Sequence, residues 1–477
     1  MSFASPIFLW YFLPATLLAY WLLPRTRRNL VLSLASLVFY VFGGLAFVFG
    51  LVGLIVVNYA AGITLEQPRV ARTPALRQRL FAATVGLDLL LLAIWKYAGF
   101  ASQQVHNVAH ALGASSTPIV SIGLPIGISF FTFHHISYVT DVYRGDRDPQ
   151  KNFLAFVTYI AMFPQLVAGP IIRYREIADQ LDDVRANRLG DFTDGIPRFA
   201  LGLSKKVLVA DPLAPVAAAT FSLHGHALNA PTAWIGVLAY TMQIYFDFSG
   251  YSDMAIGLAR MFGYRFPENF NRPYSAVSVT DFWRRWHMSL SRWFRDYMYI
   301  PLGGNQGSSA ATYRNLYLVF IATGLWHGAQ WTFLAWGLYH GTWLVIERRT
   351  RDRRTERSGP QVLRRASTFL IVVVGWVFFR AASLSSAARY LVAMVTPRLG
   401  GLAPELHAAL TSYRKLDLAL ALTVVLVPGT FTMGKFLERE SDGRAAVARA
   451  VYAGVLAPYA AVVVAAGTFS PFLYFKF

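Results

Sequence analysis

The feature that most constrains this chain is a recurrence of apolar runs long enough to cross a membrane, many of them closed by arginine clusters. A helix crossing the hydrocarbon needs about 20 predominantly apolar residues. Residues 29–62 exceed that, because one straight helix of this length would extend about 50 Å. Gly43-Gly44 sits near the middle, so the run is read as a two-helix hairpin. Arg25, Arg27 and Arg28 precede it, and Arg69, Arg72, Arg77 and Arg79 follow it. The positive-inside bias places both clusters in the cytoplasm. Residues 80–99 then lead outward through a loop, 100–117, that carries no Lys or Arg. Residues 118–140 return inward to Arg144, Arg147 and Lys151.

Composition agrees with the run pattern. The chain of 477 residues is 55% hydrophobic and 14% charged, against about a quarter charged in soluble domains. Its net charge of +19 sits in clusters at the ends of apolar segments, where it sets orientation and meets anionic membrane lipid. That placement argues against nucleic acid as the partner. There is no cysteine, so disulfides, Cys-ligated metal, S-acylation and a Cys nucleophile are excluded together. At the N-terminus the positive charge follows the apolar core instead of preceding it, the reverse of a cleavable signal. A retained first span with its N-terminus outside is expected.

The middle is less regular. "FLAFVTYIAMFPQLVAGPIIRY" is interrupted by Pro164 and Pro170, which break helices, so a broken or re-entrant segment is expected. Residues 173–188 read as a surface helix or loop. Further spans are expected at about 197–222, 232–262, 313–347, 364–382, 417–434 and 448–469. The 313–347 run is again too long for one crossing, with Gly324 and Gly328 as break points. No linker divides the chain. It reads as a single membrane domain over 1–477: N-terminal spans to 117, a motif-bearing core 118–347, a basic cytoplasmic loop 348–365 and C-terminal spans 366–477.

Ionisable groups inside spans are costly and mark function by default. "YFDFSGYSDMAIG", 245–257, places Asp247, Ser249, Tyr251 and Asp253 in an apolar segment. The carboxylates read either as a proton relay or cation site, or as ion-pair partners of Arg from the next segment. The interspersed Gly and Ser also fit close helix packing. "DFWRRWHMSLSRWFRDYMYIPLGGN", 281–305, interleaves Trp283, Trp286, Trp293 and Phe294 with Arg284, Arg285, Arg292 and Arg295. It reads as an amphipathic interfacial helix, either a headgroup anchor or, with His287, a site that pairs with the phosphate of an acyl donor. His327 lies alone in "FIATGLWHGAQWTFLAWG", as a packed structural histidine or a catalyst. His340 and the pair His134-His135 are weaker candidates. No metal motif, GxSxG elbow or phosphate-binding loop is present.

The blocks "FFTFHHISYVTDVYRG", "FPQLVAGPIIRY", "DFWRRWHMSLSRWFRDYMYIPLGGN", "LWHGAQWTFLAWGLYHG" and "FLYFKF" together resemble the membrane-bound O-acyltransferase (MBOAT) family. The resemblance is strongest to its bacterial branch containing the alginate O-acetylation membrane protein, with the teichoic acid D-alanyl transfer protein as a cousin. It runs from about residue 120 to the C-terminus. It implies an all-α polytopic bundle of roughly 11–12 transmembrane helices, with re-entrant and interfacial helices, around a central funnel or tunnel. It implies an active-site histidine in the "WHG" block, here His327, and a second polar position matched by His287.

The chemistry this implies is attack of a hydroxyl on an acyl thioester. A base must take the hydroxyl proton, and neutral imidazole, with a reference pKa of about 6.5, can do so. The tetrahedral intermediate needs donors for its oxyanion. Trp286, Trp326 and Asn305 are candidates by proximity in sequence, and Trp283, Arg285, Asp247 and Tyr251 are candidates for lining the donor or substrate tunnel. Both direct transfer and an acyl-histidine intermediate are open. No tightly bound cofactor or metal is expected. The implied donor is cytosolic acetyl-CoA or an acylated carrier protein, the implied acceptor an extracellular or periplasmic polysaccharide. A periplasmic acetyltransferase partner is implied, and a place in a bacterial cytoplasmic (inner) membrane. The competing readings are a proton-coupled transporter or channel using Asp247 and Asp253, a scaffold recruiting a separate transferase, and D-alanyl or peptidoglycan acyl transfer within the same family.

Overall fold

The computed structural model describes residues 1–113, 117–167, 169–182, 189–350, 360–398, 400–427, 431–439, 441–467 and 472–473. Residues 351–359 of the basic loop 348–365 and most of the terminal "FLYFKF" block therefore lie outside the described residues. Within them the chain is entirely helix, turn and loop. The protein is an all-α polytopic membrane protein. Four helices are long and apolar enough to span a bilayer among the described residues: Leu45–Glu66, Pro74–Ala111, Gln361–Arg380 and the interrupted Gly443–Ala465. A 22-residue helix such as Leu45–Glu66 extends about 33 Å, enough for a hydrocarbon core of about 30 Å. These helices expose apolar rows, including Val52, Val56, Leu89, Leu90 and Ile94, which suit lipid and not water.

The fold divides into two compact units, Met1–Ile196 with Ala255–Pro267, and Pro197–Met254 with Glu268–Phe477. In the first, the run over 29–62 forms the expected hairpin, Arg28–Val41 and Leu45–Glu66. Gly44 makes the turn at φ 130°, a backbone region open to glycine at little cost. The proline-rich segment breaks as expected: Phe153–Ala161 ends and a short helix Phe163–Leu166 follows. The balanced stretch after it is the helix Tyr174–Asp182, which buries Tyr174, Ile177, Ala178 and Leu181 on one face. His134 and His135 sit fully buried on the Ile128–Arg144 helix of this unit, where His134 Nε2 accepts the Ile172 amide at 3.3 Å.

The second unit holds the remaining motifs and corrects three expectations. The stretch 281–305 is not one interfacial helix. It is a short helix Val279–Trp283, a turn, a second helix Met288–Phe294 and a wide turn over Arg295–Tyr299. Trp283, Trp286, Trp293 and Phe294 are buried, so they form protein core and do not anchor headgroups. The break lies at His287, whose φ of 43° cannot continue a right-handed helix.

In the 313–347 run, the hairpin breaks between Ser309–His327 and Trp331–Thr350, at Gly328 and not at Gly324. Gly324 instead lets the two backbones touch. A Cβ there would lie 2.4 Å from the Phe333 carbonyl oxygen, and one on Gly337 would lie 2.3 Å from that of Phe320.

The carboxylates of 245–257 are ion-paired, but with cations from the preceding segment. Asp253 meets Arg198 at 2.7 Å and Lys205 at 2.6 Å, and Asp247 meets Lys206 at 2.9 Å. Gly250 and Gly202 bring the two helices together, because a Cβ on Gly202 would lie 2.4 Å from the Gly250 oxygen. A further helix, Leu384–Val395, opens with a Ser383–Ser386 capping box that the span pattern did not reveal.

Candidate active site

His327 is the last residue of the Ser309–His327 helix. The hairpin places it far from the basic loop: from Trp331 to Arg348 the returning helix rises about 25 Å. The imidazole therefore lies toward the end of the hairpin opposite the arginine cluster. It is 5% exposed and is walled by aromatic rings. Trp326 lies 4.9 Å away between centroids, Trp336 5.1 Å away at 90°, and Phe379, from the Gln361–Arg380 helix, 5.1 Å away.

Trp326 connects this ring to the second histidine, its centroid 6.0 Å from that of His287. His287 is fixed by a different set of groups. Its Nδ1 lies 3.1 Å from Asn269 Oδ1. The amide orientation follows from the rest of the network, because Asn269 Nδ2 donates to Ser252 Oγ at 3.0 Å, and Oδ1 also accepts from the Ser289 amide at 3.2 Å and its hydroxyl at 2.9 Å. His287 Nδ1–H therefore donates to Asn269, which leaves the Nε2 lone pair as an acceptor. That buried Nε2 has no hydrogen-bond partner among the described residues. The ring is clamped edge-on by Phe248 at 4.7 Å. A left-handed non-glycine residue costs of order 1–3 kcal/mol and persists only where its surroundings enforce it, and such residues concentrate at functional sites.

His340 belongs to the same aromatic cluster, 5.2 Å from Trp336 and 5.0 Å from Trp283. Gly375 makes room for it, since a Cβ there would meet Nε2 at 2.5 Å. Both ring nitrogens of His340, Nε1 of Trp283 and Nε1 of Trp336 are buried without hydrogen-bond partners among the described residues. Buried polar atoms are normally satisfied, so a cluster of unsatisfied ones beside two histidines marks a place where a polar ligand or water belongs.

The sequence candidates thus separate. His327, His287, Trp326 and Trp283 come together around one aromatic cluster. Trp286 is buried beside it, 4.8 Å from Trp376 and 5.6 Å from Phe282. Tyr251 stacks on Phe472 at 4.5 Å, and Phe472 in turn lies 5.9 Å from Phe248. Arg285 forms an i,i+4 pair with Asp281 at 2.8 Å on the outer face of its turn. Asn305 is exposed in the Gly303-Gly304 turn. Asp247 is taken up by Lys206 and by the Leu473 amide at 2.8 Å. Sequence reasoning did not single out Asn269, Ser289, Trp336 or Phe379. For Trp336 a signal existed, its i,i+4 spacing to His340; Asn269 and Phe379 come from segments distant in sequence.

A membrane-embedded helical unit with two fixed, buried imidazoles and unsatisfied indole donors defines a class. Residues 147–387 match the membrane-bound O-acyltransferase family, and the chain belongs to that family. Within it the chain is closely related to the bacterial alginate O-acetylases. It is 43% identical to the probable alginate O-acetylase AlgI of Azotobacter vinelandii over the full length of both. It is 44% identical to the probable alginate O-acetylase AlgI of Pseudomonas aeruginosa over 89% of this chain and 81% of that one. The peptidoglycan O-acetyltransferase of Helicobacter pylori is 37% identical over 83% of this chain and 80% of its own.

Proposed function

We propose that this protein moves an acetyl group from a cytosolic thioester, acetyl-CoA or an acetylated carrier protein, to a hydroxyl of a polysaccharide outside a bacterial inner membrane, with His327 as the base. The acyltransferase class follows from the family. The observation that supports the role of His327 is its position: a buried imidazole at the hairpin turn remote from the basic loop, beside the indole of Trp336.

In this reading His327 takes the proton of the attacking hydroxyl as oxygen bonds to the thioester carbon. The Trp336 N–H, buried and unsatisfied, donates to the developing oxyanion. The C–S bond then breaks, and the proton passes from the imidazolium to the departing thiolate. His287, its Nδ1–H held by Asn269, offers Nε2 to orient the hydroxyl. A periplasmic acetyltransferase completes transfer to the polymer when the first hydroxyl is not the polymer's own.

The transporter reading is disfavoured by one observation: both intramembrane carboxylates it needs are engaged by Lys206, Arg198 and Lys205. Incubating the purified protein with radiolabelled acetyl-CoA or acetylated carrier protein, with and without a periplasmic partner, tests the proposal. Thiol release and label transfer in wild type, lost in Trp336→Phe by about 10²–10³-fold and in His327→Ala almost entirely, are expected. Absence of thiol release from every donor in wild type contradicts it.

A further inference from the structure

One buried titratable group takes no part in the reaction proposed above. His340 is fully buried on the Trp331–Thr350 helix, and neither ring nitrogen has a hydrogen-bond partner among the described residues. Trp283 lies 5.0 Å from it at 90°, Trp336 lies 5.2 Å from it, and the two indoles are 5.5 Å from each other. Both indole Nε1 atoms are buried and unpartnered as well. Three packed rings thus carry four unsatisfied nitrogens. A neutral imidazole has one N–H and one lone pair, and each indole has one N–H, so the cluster offers both donors and an acceptor. Each unmet polar atom costs free energy. Packing alone calls for no such set, since phenylalanine rings would fill the same space.

The cluster lies on the cytoplasmic side of His327. On the returning helix His340 is four residues past Trp336, about 6 Å nearer the basic loop. On the outgoing helix Trp283 packs against Phe320 at 5.1 Å, seven residues before His327 and about 10 Å inward of it. The positive-inside bias sets the basic loop in the cytoplasm, so a thioester that reaches His327 from the cytosol draws the rest of its arm past these rings. Acetyl-CoA and acetylated carrier proteins share that arm, a pantetheine. Its nearest amide lies five bonds from the thioester carbon, a reach of about 6 Å. Trp336, the donor to the oxyanion, is 5.2 Å from His340 between centroids. An amide has an N–H to give and a carbonyl to accept, the complement of the cluster. Gly375 keeps the Nε2 side of His340 clear of any side chain, since a Cβ there would lie 2.5 Å away.

We propose that His340 and Trp283 bind the first amide of the donor's pantetheine arm. The Trp283 N–H donates to the amide carbonyl, and the lone pair of His340 accepts the amide N–H. The two contacts fix where the thioester carbon stops relative to His327 and Trp336. They touch the donor away from the bond that breaks, so their binding energy serves to position the reacting carbonyl. This role rests on the acyl-transfer reading and adds to it the part of the donor that is recognised.

The purified full-length protein is given two acetyl thioesters that differ in the amide. S-acetyl-N-acetylcysteamine carries it, and S-pentyl thioacetate, of similar length, does not. Thiol release is followed for each. Wild type is expected to use the amide donor with a kcat/KM about tenfold higher, as one or two buried hydrogen bonds supply. His340→Phe brings that ratio close to one by slowing the amide donor alone, and His340→Gln, which keeps an acceptor, retains part of it. Trp283→Phe removes only the N–H and also lowers the ratio, which gives the test a second variant if His340→Phe does not fold. Equal use of both donors by wild type overturns the proposal. So does a folded His340→Phe that keeps the ratio, or one that slows both donors by the same factor, which marks a structural residue. In each of these cases the acyl-transfer reading stands as long as His327→Asn stops both donors. No thiol release from either donor in wild type removes that reading, and this role with it.

Discussion

Asn269 Oδ1 lies 3.1 Å from His287 Nδ1, and this contact decides which imidazole nitrogen faces the site. The same oxygen also holds Ser289 through its amide and its hydroxyl, so Asn269 fixes both the tautomer of His287 and the turn that carries it. Asn269→Ala is expected to reduce acetyl transfer roughly tenfold, the equivalent of one lost buried hydrogen bond. The KM for the donor should change little. Steady-state kinetics on the purified variant check this, and an unchanged kcat would contradict it.

The left-handed backbone at His287 gives a second expectation. Both His287→Ala and His287→Gly remove the imidazole and should lose activity. Only glycine relieves the backbone, so His287→Gly should be more stable than His287→Ala by about 1 kcal/mol. Thermal unfolding of the two variants in detergent, followed by tryptophan fluorescence, compares them. The opposite order would mean that the backbone there is unstrained.

Asp253 is 6% exposed and joins Arg198 to Lys205. Asp253→Asn leaves Lys205 without its carboxylate and the buried Arg198 with Glu268 as its close partner, at a cost of about 1–3 kcal/mol. The variant should melt earlier, yet turn over thioester normally per folded molecule at low temperature. A folded Asp253→Asn with no turnover would return the carboxylate to the functional site and revive the proton-pathway reading.

Gly324 touches the Phe333 carbonyl across the hairpin. Because the obstacle is backbone, Gly324→Ala must part the two helices, with a loss of about 1–3 kcal/mol. It also displaces His327 at the hairpin end, so stability and transfer should fall together. A fully stable Gly324→Ala would show that the helices separate without strain.

The hairpin over 28–66 was legible because its two determinants are local, a Gly-Gly turn and arginine clusters at both ends. The pairing of Asp247 and Asp253 was legible in kind, since buried carboxylates need partners, but not in direction. Spacing cannot say whether the cation comes from the helix before or the helix after. The stretch 281–305 misled for a related reason. Its alternating Trp and Arg fit an interfacial helix, but the reversal at His287 is imposed by Asn269, 18 residues upstream, and no periodicity records such a contact. His327 could be singled out as costly from sequence, and the family resemblance gave it a role. Its surroundings, Trp336 and Phe379, come from helices that meet it only in the folded chain.

The most direct test of His327 uses sealed proteoliposomes with radiolabelled acetyl donor inside and polysaccharide acceptor outside. Wild type is expected to place label on the outer acceptor. The near-isosteric His327→Asn, with its fold verified by unfolding temperature, is expected to lose about 10²–10⁴-fold of that rate, the range for a missing general base. A folded His327→Asn that transfers label at close to the wild-type rate would contradict the account.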